Sequence, residues 1–338
     1  MTDIRAAAAL ALLGDHRLPA HGCEVLAGPA ICGYETGRNG RKMTMATHTQ
    51  KIGWIGMGRM GYSMAEWLLK GGYDVSIWNR TRAKAEPLTK IGGKVVDKLS
   101  DLSGVDVLFC IVSEGKDVME VLYGKDGVAP GGKGKMPPIV VDCSSISVDD
   151  SVEIREKLKS FGTEFLACPV SGNAKVIQAG QLSAVASGPE SAFRKVEPMV
   201  LKFAPNGVSY VGEGELARIC KIAHNVMLAV VIHNLIEITL LANKMGVPRE
   251  AFLKFMNNGV MGSMFTRYKS PALVNLDWTT TFTPELLLKD IDLGLDLSRK
   301  WKVPMPTTAT TRDSLQGHIG NAILQKDPKA YLEQDFAT

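Results

Sequence analysis

Chemistry in this chain gathers first around one amine. Lys221 stands near the start of a long apolar helical pattern, with Ile219, Cys220, Ile222 and Ala223 around it. His224 and Asn225 come three and four residues later, on the same helix face. A lysine on a buried helix is costly unless it has a task. Desolvation lowers an ammonium's pKa and makes it a usable proton donor or acceptor near neutral pH. A lysine that snorkels out at a domain boundary explains the same spacing without chemistry. Three loops add polar groups. Val112 and Ser113 end an apolar run in a polar break where a cofactor could pass. Ser144 and Ser145 lie on a turn after Asp142; either could be a plain turn residue, as Ser147 could be a helix N-cap. Ser171, Gly172 and Asn173 together offer backbone and side-chain donors for a carboxylate.

A second signature is KIGWIGMGRMGYSMAEWLLKGGYDVSIWNRT, from Lys51 to Thr81. It reads as strand, glycine turn, helix, strand. In Gly56-Met57-Gly58-Arg59-Met60-Gly61, the first glycine allows the turn and the second lets backbone approach a pyrophosphate. The third lets helix pack on strand. The freed N–H groups and the positive helix N-terminus then hold phosphate. An NAD site carries an acidic residue at the end of the second strand for the ribose 2′-OH. Here Asn79, Arg80 and Thr81 stand there, with Arg82 behind. A guanidinium and a hydroxyl suit a 2′-phosphate, so the sequence leans to NADP. If Arg80 is only a solvated loop cation, NAD stays open.

These residues must be positioned by alternating elements. From Lys51 to about Gly207, β-rich runs (51–55, 75–78, 105–111, 139–142, 164–167, 182–187 and 208–210) alternate with helical patterns (62–70, 84–91, 116–123, 147–161 and 189–203). Such alternation predicts a mostly parallel sheet covered by helices on both faces. Runs such as VDVLFCIV lack period-two alternation because both faces are covered. Ligands then bind outside the carboxyl ends of the strands. After Gly212 the strand pattern stops. Residues 215–245 form one helical pattern that is apolar nearly all round, which predicts a core or intersubunit helix. Further helices are expected over 248–257, 284–301, 308–324 and 328–335. Pro248, Pro284 and Pro328 are each expected in a first helical turn.

The 338 residues suffice for two domains, with 45% apolar and 22% charged residues. A net charge of +4 without a basic, aromatic-interleaved stretch argues against nucleic acid as partner. No apolar run is expected to reach a membrane span. Cys23, Cys32, Cys110, Cys143, Cys168 and Cys220 form no CxxC pair. They read as buried free thiols in a reducing cytoplasm rather than as disulfides or a metal site. Residues 1–50 differ from the rest: an alanine-rich piece (6–13), then Gly, Pro, His and Arg without period. They lack the marks of a secretory signal, and Asp3, Asp15, Glu24 and Glu35 break a transit-peptide pattern. They are expected to be a poorly ordered extension, with a functional start near Met43 or Met45.

The glycine turn with NRT, the DCSS turn, PVSG followed by AGQL, and the K-x-x-x-N helix occur in that order. From Lys51 to the C-terminus the chain thereby resembles the β-hydroxyacid dehydrogenases. That family includes 3-hydroxyisobutyrate dehydrogenase, tartronate semialdehyde reductase and the glyoxylate/succinic semialdehyde reductases. The resemblance implies an α/β Rossmann-type dinucleotide-binding domain (51–213) followed by an all-α C-terminal domain (214–338). It implies pyrophosphate on Gly56 to Gly61 and the adenosine ribose end at Asn79, Arg80 and Thr81. Val112 and Ser113 would pass the nicotinamide side, and Ser145 would contact cofactor with Ser144 beside it at the substrate. Ser171 and Gly172, with Asn173, would take the substrate carboxylate. Lys221 would be the catalytic acid and base, Asn225 and His224 would orient substrate, and Lys289 would reach back to cofactor and substrate.

Departures fall around the substrate. The family's SGG is Ser171-Gly172-Asn173, and its K-x-x-N-N has His224 before Asn225, similar to 6-phosphogluconate dehydrogenase. Glu215 and Ala217 replace glycines usual before the lysine. The related imine reductases usually lack that lysine. The sequence therefore leads us to expect an NADP-dependent oxidoreductase of small carboxylates, cytoplasmic, without metal or membrane, and a homodimer or homotetramer.

Overall fold

A computed structural model describes residues 49–325 except 278, 280 and 281. The expected extension over 1–48, Cys23, Cys32 and the helix expected over 328–335 lie outside the described residues. The first half is a six-stranded sheet in the order β3-β2-β1-β4-β5-β6, parallel throughout. Its strands are β1 (Lys51–Ile55), β2 (Asp74–Trp78), β3 (Lys94–Val95), β4 (Val107–Cys110), β5 (Ile139–Asp142) and β6 (Glu164–Ala167). This is the doubly wound Rossmann order, whose switch point lies between β1 and β4. Helices α1 (Gly61–Lys70), α2 (Gly115–Tyr123), α3 (Val148–Lys159) and α5 (Glu190–Phe203) cover it. β4 and β5 are buried at every position, as strands covered on both faces must be. At the centre Trp54 stacks on Phe109 at 5.4 Å, and Phe203 of α5 meets both rings edge-on.

Three features depart from expectation. The helix expected over 84–91 is two 3₁₀ stretches, Arg82–Lys84 and Glu86–Ile91, because Pro87 lacks the N–H an α-helix needs there. The strands near 182–187 and 208–210 do not extend the main sheet. β8 (Ser183–Ala186) and β9 (Val208–Tyr210) pair in parallel, with β7 (Val170–Ser171) antiparallel to β8. Pro169 turns the chain out of β6 into β7, and a short helix α4 (Ala174–Gln178) comes next. Pro248 is the N-cap of its helix rather than a first-turn residue.

The second half is helical among the described residues: α6 (Leu216–Lys244), α7 (Arg249–Asn258), α8 (Met264–Asn275), α9 (Pro284–Trp301) and α10 (Pro306–Gln325). α8 has no counterpart in the sequence expectation. Ser263 and Thr266 cap its start reciprocally, and Pro271 is accommodated within it. By length and composition α6 is long and apolar enough to cross a membrane, contrary to the expectation that no run would be. Its first turns instead meet the turn after β5, where Arg218 donates to the Ser144 carbonyl, and Ser171 of β7, which hydrogen-bonds to His224. Cys110, Cys143 and Cys168 are buried free thiols; Cys220 is free but exposed.

Candidate active site

The glycine turn is built for close approach. Gly56 has φ +101°, and a Cβ there would lie 2.1 Å from the Ile111 carbonyl oxygen. A Cβ on Gly61 would lie 2.1 Å from the Gly56 carbonyl oxygen. Gly58 is different: a Cβ would meet nothing within 4 Å, so its side faces open space. Met60 is the N-cap of α1, no side chain caps the helix, and no acidic residue occupies its first turn. Its N-terminal amides suit an anion. The residues present thus fit a dinucleotide pyrophosphate, with Met57, Arg59 and Met60 around the turn.

The end of β2 divides its work. Asn79 accepts from the Met57 N–H at 2.8 Å and donates to the Thr81 carbonyl at 2.8 Å, so it braces the glycine loop. Arg82 is held by Glu86 and Asp97. Arg80 is exposed and, among the described residues, makes no hydrogen bond or ion pair. Thr81 is exposed beside it, at the N-cap position of the 3₁₀ turn but without a side-chain capping bond.

Opposite lie the loops after β4 and β5. The Val112 N–H donates to Ser144 Oγ at 2.9 Å, and the Ser144 hydroxyl donates to Asp142 Oδ1 at 2.6 Å. Ser144 is buried, so its hydroxyl is committed to the wall and not offered to substrate. Ser113 is exposed and Ser145 half-buried. Lys289 of α9 donates to the Ser145 carbonyl at 2.8 Å and lies 3.5 Å from Asp290. Asn173 accepts from the Val176 N–H at 3.1 Å and so caps α4, while Gly172 turns at φ +139°.

Ser171, His224, Asn225 and Asp290 form one chain of hydrogen bonds. Asn225 Nδ2 donates to Asp290 Oδ2 at 2.7 Å. A carboxylate only accepts, so the Asn225 amide can face one way. Its Oδ1 therefore accepts from His224 Nδ1, 2.9 Å away. Burial pushes the His224 imidazole below its usual pKa, against the Asn225 bond, and Lys221 pushes it the same way. The lowered pKa favours the neutral ring, and the bond to Asn225 then puts its proton on Nδ1. His224 Nε2 then accepts from the Ser171 hydroxyl at 2.9 Å.

Lys221 lies at the Asn225–Asp290 end of this chain. It lines a cavity of about 10 Å³ with Ser144, Ser145, Arg218, Asn225 and Asp290. That is room for about one water-sized group. Burial lowers the Lys221 amine to a pKa of about 8; Asp290 opposes the shift and Lys289 adds to it. The amine can both give and take a proton near neutral pH.

Sequence reasoning missed Asp290 and Arg218. Each had a signal: Asp290 directly adjoins Lys289, and Arg218 precedes Lys221 by one turn in an apolar helix. Both are buried.

Known proteins share the two-part organisation that builds this site. Residues 51–212 match the family model of the NAD-binding domain of 6-phosphogluconate dehydrogenase. Residues 215–333 match that of the NADP-dependent 3-hydroxyisobutyrate dehydrogenase NAD-binding region. A probable 3-hydroxyisobutyrate dehydrogenase-like 1, mitochondrial, of Arabidopsis thaliana is 30% identical over 79% of this chain and 80% of its own length. The chain belongs to the β-hydroxyacid dehydrogenase family. Another relative in that family, glyoxylate/succinic semialdehyde reductase 2, chloroplastic, of Arabidopsis thaliana, is 28% identical over 84% of this chain and 79% of its length. The fold matches the crystal structure of 3-hydroxyisobutyrate dehydrogenase from Salmonella typhimurium with a TM-score of 0.73 at 24% identity, over 84% and 99% of the two chains. As a β-hydroxyacid dehydrogenase, the chain is an NAD(P)-dependent oxidoreductase.

Proposed function

We propose that this dehydrogenase moves a hydride between NADP(H) and a small 3-hydroxy acid or its semialdehyde, with Lys221 as general acid and base. The observation that carries this reading is the Lys221 amine, desolvated to a pKa of about 8 at the wall shared by the β5 turn, α6 and α9. The nicotinamide, when bound, supplies or accepts the hydride at a carbonyl carbon. Lys221 gives a proton to the substrate oxygen in reduction and takes it back in oxidation. Asn225 commits one amide hydrogen to Asp290 and keeps the other for that oxygen. Ser171 and the backbone at Gly172 hold the carboxylate, and this positioning limits the approach of the carbonyl. Lys289 and Ser145 line the cofactor side.

NADP over NAD is supported by Arg80, the exposed cation beside the glycine turn. Relatives named as semialdehyde reductases and 3-hydroxyisobutyrate dehydrogenase-like proteins support the substrate class. A second reading, a short sugar acid, is favoured by His224, which sits on Ser171 in the manner of an added substrate contact. Buried free thiols support a reducing, cytoplasmic setting.

The test is Lys221→Ala, assayed with NADPH, NADH and a panel of short semialdehydes. The expected kcat is lower by about a hundredfold or more, with cofactor affinity barely changed. An unchanged kcat would take Lys221 out of the mechanism.

A further inference from the structure

The proposed reaction leaves a fully buried ion pair, Arg218 with Asp142, without a role. Arg218 is 1% exposed and its partner Asp142 is 0% exposed. Every branch of the guanidinium is committed to the Rossmann half. Nη2 donates to Asp142 Oδ2 at 2.5 Å, Nη1 to the Ser144 carbonyl at 2.5 Å, and Nε to Ser151 Oγ at 3.1 Å. Ser151 in turn donates to Glu215, which Arg155 grips at 2.6 Å. The first turn of α6 is thereby fastened to α3 and to the end of β5.

Two paths leave this node, and each ends where catalysis needs precision. Along α6, Lys221 lies three residues beyond Arg218, about one helical turn. Across the loops, Asp142 Oδ1 holds the Ser144 hydroxyl, and Ser144 Oγ holds the Val112 N–H at 2.9 Å. The loop that begins at Val112 lies at the switch-point side of the cleft, after β4. The same turn is gripped from its other side, where Lys289 takes the Ser145 carbonyl. Glu215 belongs to this node and stands where the family pattern has a glycine, so the brace uses a residue in which this chain departs from that pattern.

Stability alone is a poor reason for such a node. Taking both charges out of water costs about as much as their attraction returns, and an apolar pair of similar size often does as well or better. What a buried fork adds is a single geometry. We infer that Arg218, acting through Asp142 and Ser144, is a positioning residue that sets the Lys221 helix against the cofactor loop at Val112. All three of its nitrogens are spent on protein acceptors, so it acts through its neighbours. The inference rests on the proposed role of Lys221, because a helix register matters only if that amine must meet a reacting oxygen. A misplacement of about 1 Å far from the chemistry can cost on the order of a hundredfold in rate.

Two variants test it in the full-length chain. Arg218→Gln with Asp142→Asn removes both charges together and leaves no unpaired buried ion. Ser144→Ala keeps the ion pair and deletes the acceptor of the Val112 N–H together with one donor to Asp142. In Ser144→Ala without cofactor, hydrogen exchange at the Val112 amide should accelerate about tenfold or more, in a protein that still folds with a modestly lower Tm. In both variants kcat should fall about ten- to hundredfold while KM for the semialdehyde moves less than about threefold. The pH limb near 8 should stay in place, because burial, Asp290 and Lys289 set it. Unchanged Val112 exchange in Ser144→Ala would overturn the inference. So would wild-type kcat in the folded double variant, or a pH limb displaced upward, which would mean that the helix had merely opened to water. Failure of the catalytic reading is distinguishable: it would show as an active Lys221→Ala.

Discussion

A buried ammonium with a carboxylate and a second ammonium beside it has its proton affinity set by both neighbours and by the missing water. For Lys221, burial lowers the pKa most, Asp290 raises it and Lys289 lowers it, ending at about 8. The reductive direction needs the protonated amine and the oxidative direction the neutral one. Reduction should therefore hold its rate below about pH 8 and decline above it, while oxidation rises through the same pH and levels off. Asp290→Asn removes the one charge that raises the pKa yet keeps an acceptor for Asn225, so both limbs should move to lower pH. Profiles of kcat in both directions check this, and limbs that stay in place would remove Asp290 from the electrostatics of the site. Lys221, His224 and Asn225 were readable from their spacing on one helix face. Asp290 and Arg218 were not, because their value depends on which distant segments they meet: α9 against α6, and α6 against the β5 turn. Ser144 was readable as a hydroxyl on a turn, but only the three-dimensional neighbours show that it points to Asp142 and Val112.

At the scale of elements, the β1–α1 turn separates two uses of glycine that look alike in sequence. Gly56 and Gly61 are there because a Cβ would collide with backbone; Gly58 has room for one on its own protein's side. Gly61→Ala should cost on the order of 1–3 kcal/mol through overpacking against a carbonyl that cannot move freely. Gly58→Ala should fold with an unchanged Tm but bind NADPH at least about tenfold more weakly, since the added methyl faces the space the pyrophosphate would fill. Thermal melts and fluorescence titration separate the two; a Gly58→Ala protein that binds as tightly as wild type would move the phosphate site elsewhere. Fully buried strands such as β4 and β5 were legible because burial on both faces leaves a largely apolar run. Short elements were not. β7 is a two-residue pairing made possible by the turn at Pro169, and α8 is hidden by the glycines before it and by Pro271 within it. The 84–91 region shows a helical period, yet Pro87 denies it α-helical hydrogen bonds.

At the scale of the molecule, α6 carries an apolar flank that the described residues leave exposed. Its 29 residues span about 43 Å, and its most apolar stretch has a mean hydropathy of 1.8 with only 28% of that stretch buried. Met227, Leu241 and Met245 are 68%, 65% and 78% exposed. A bilayer is a poor cover, because the same helix carries Arg218, Lys221, His224 and Asn225 in its first turns, bound to or lining the site. His233 and Glu237 pair further along it. A second copy of the chain, offering the same helix about a two-fold axis, covers such a face with like surface. Each large apolar side chain so buried adds about 1.5–3 kcal/mol, counted twice in a symmetric pair, to set against the entropy lost on association. We therefore expect sedimentation to show the wild-type chain at twice its mass or a higher even multiple. Met227→Glu with Leu241→Glu places two charges on that face and should release the single chain, with its sheet domain still folded by circular dichroism. A wild-type chain that sediments as a monomer at tens of micromolar would leave the exposed flank of α6 to some other partner.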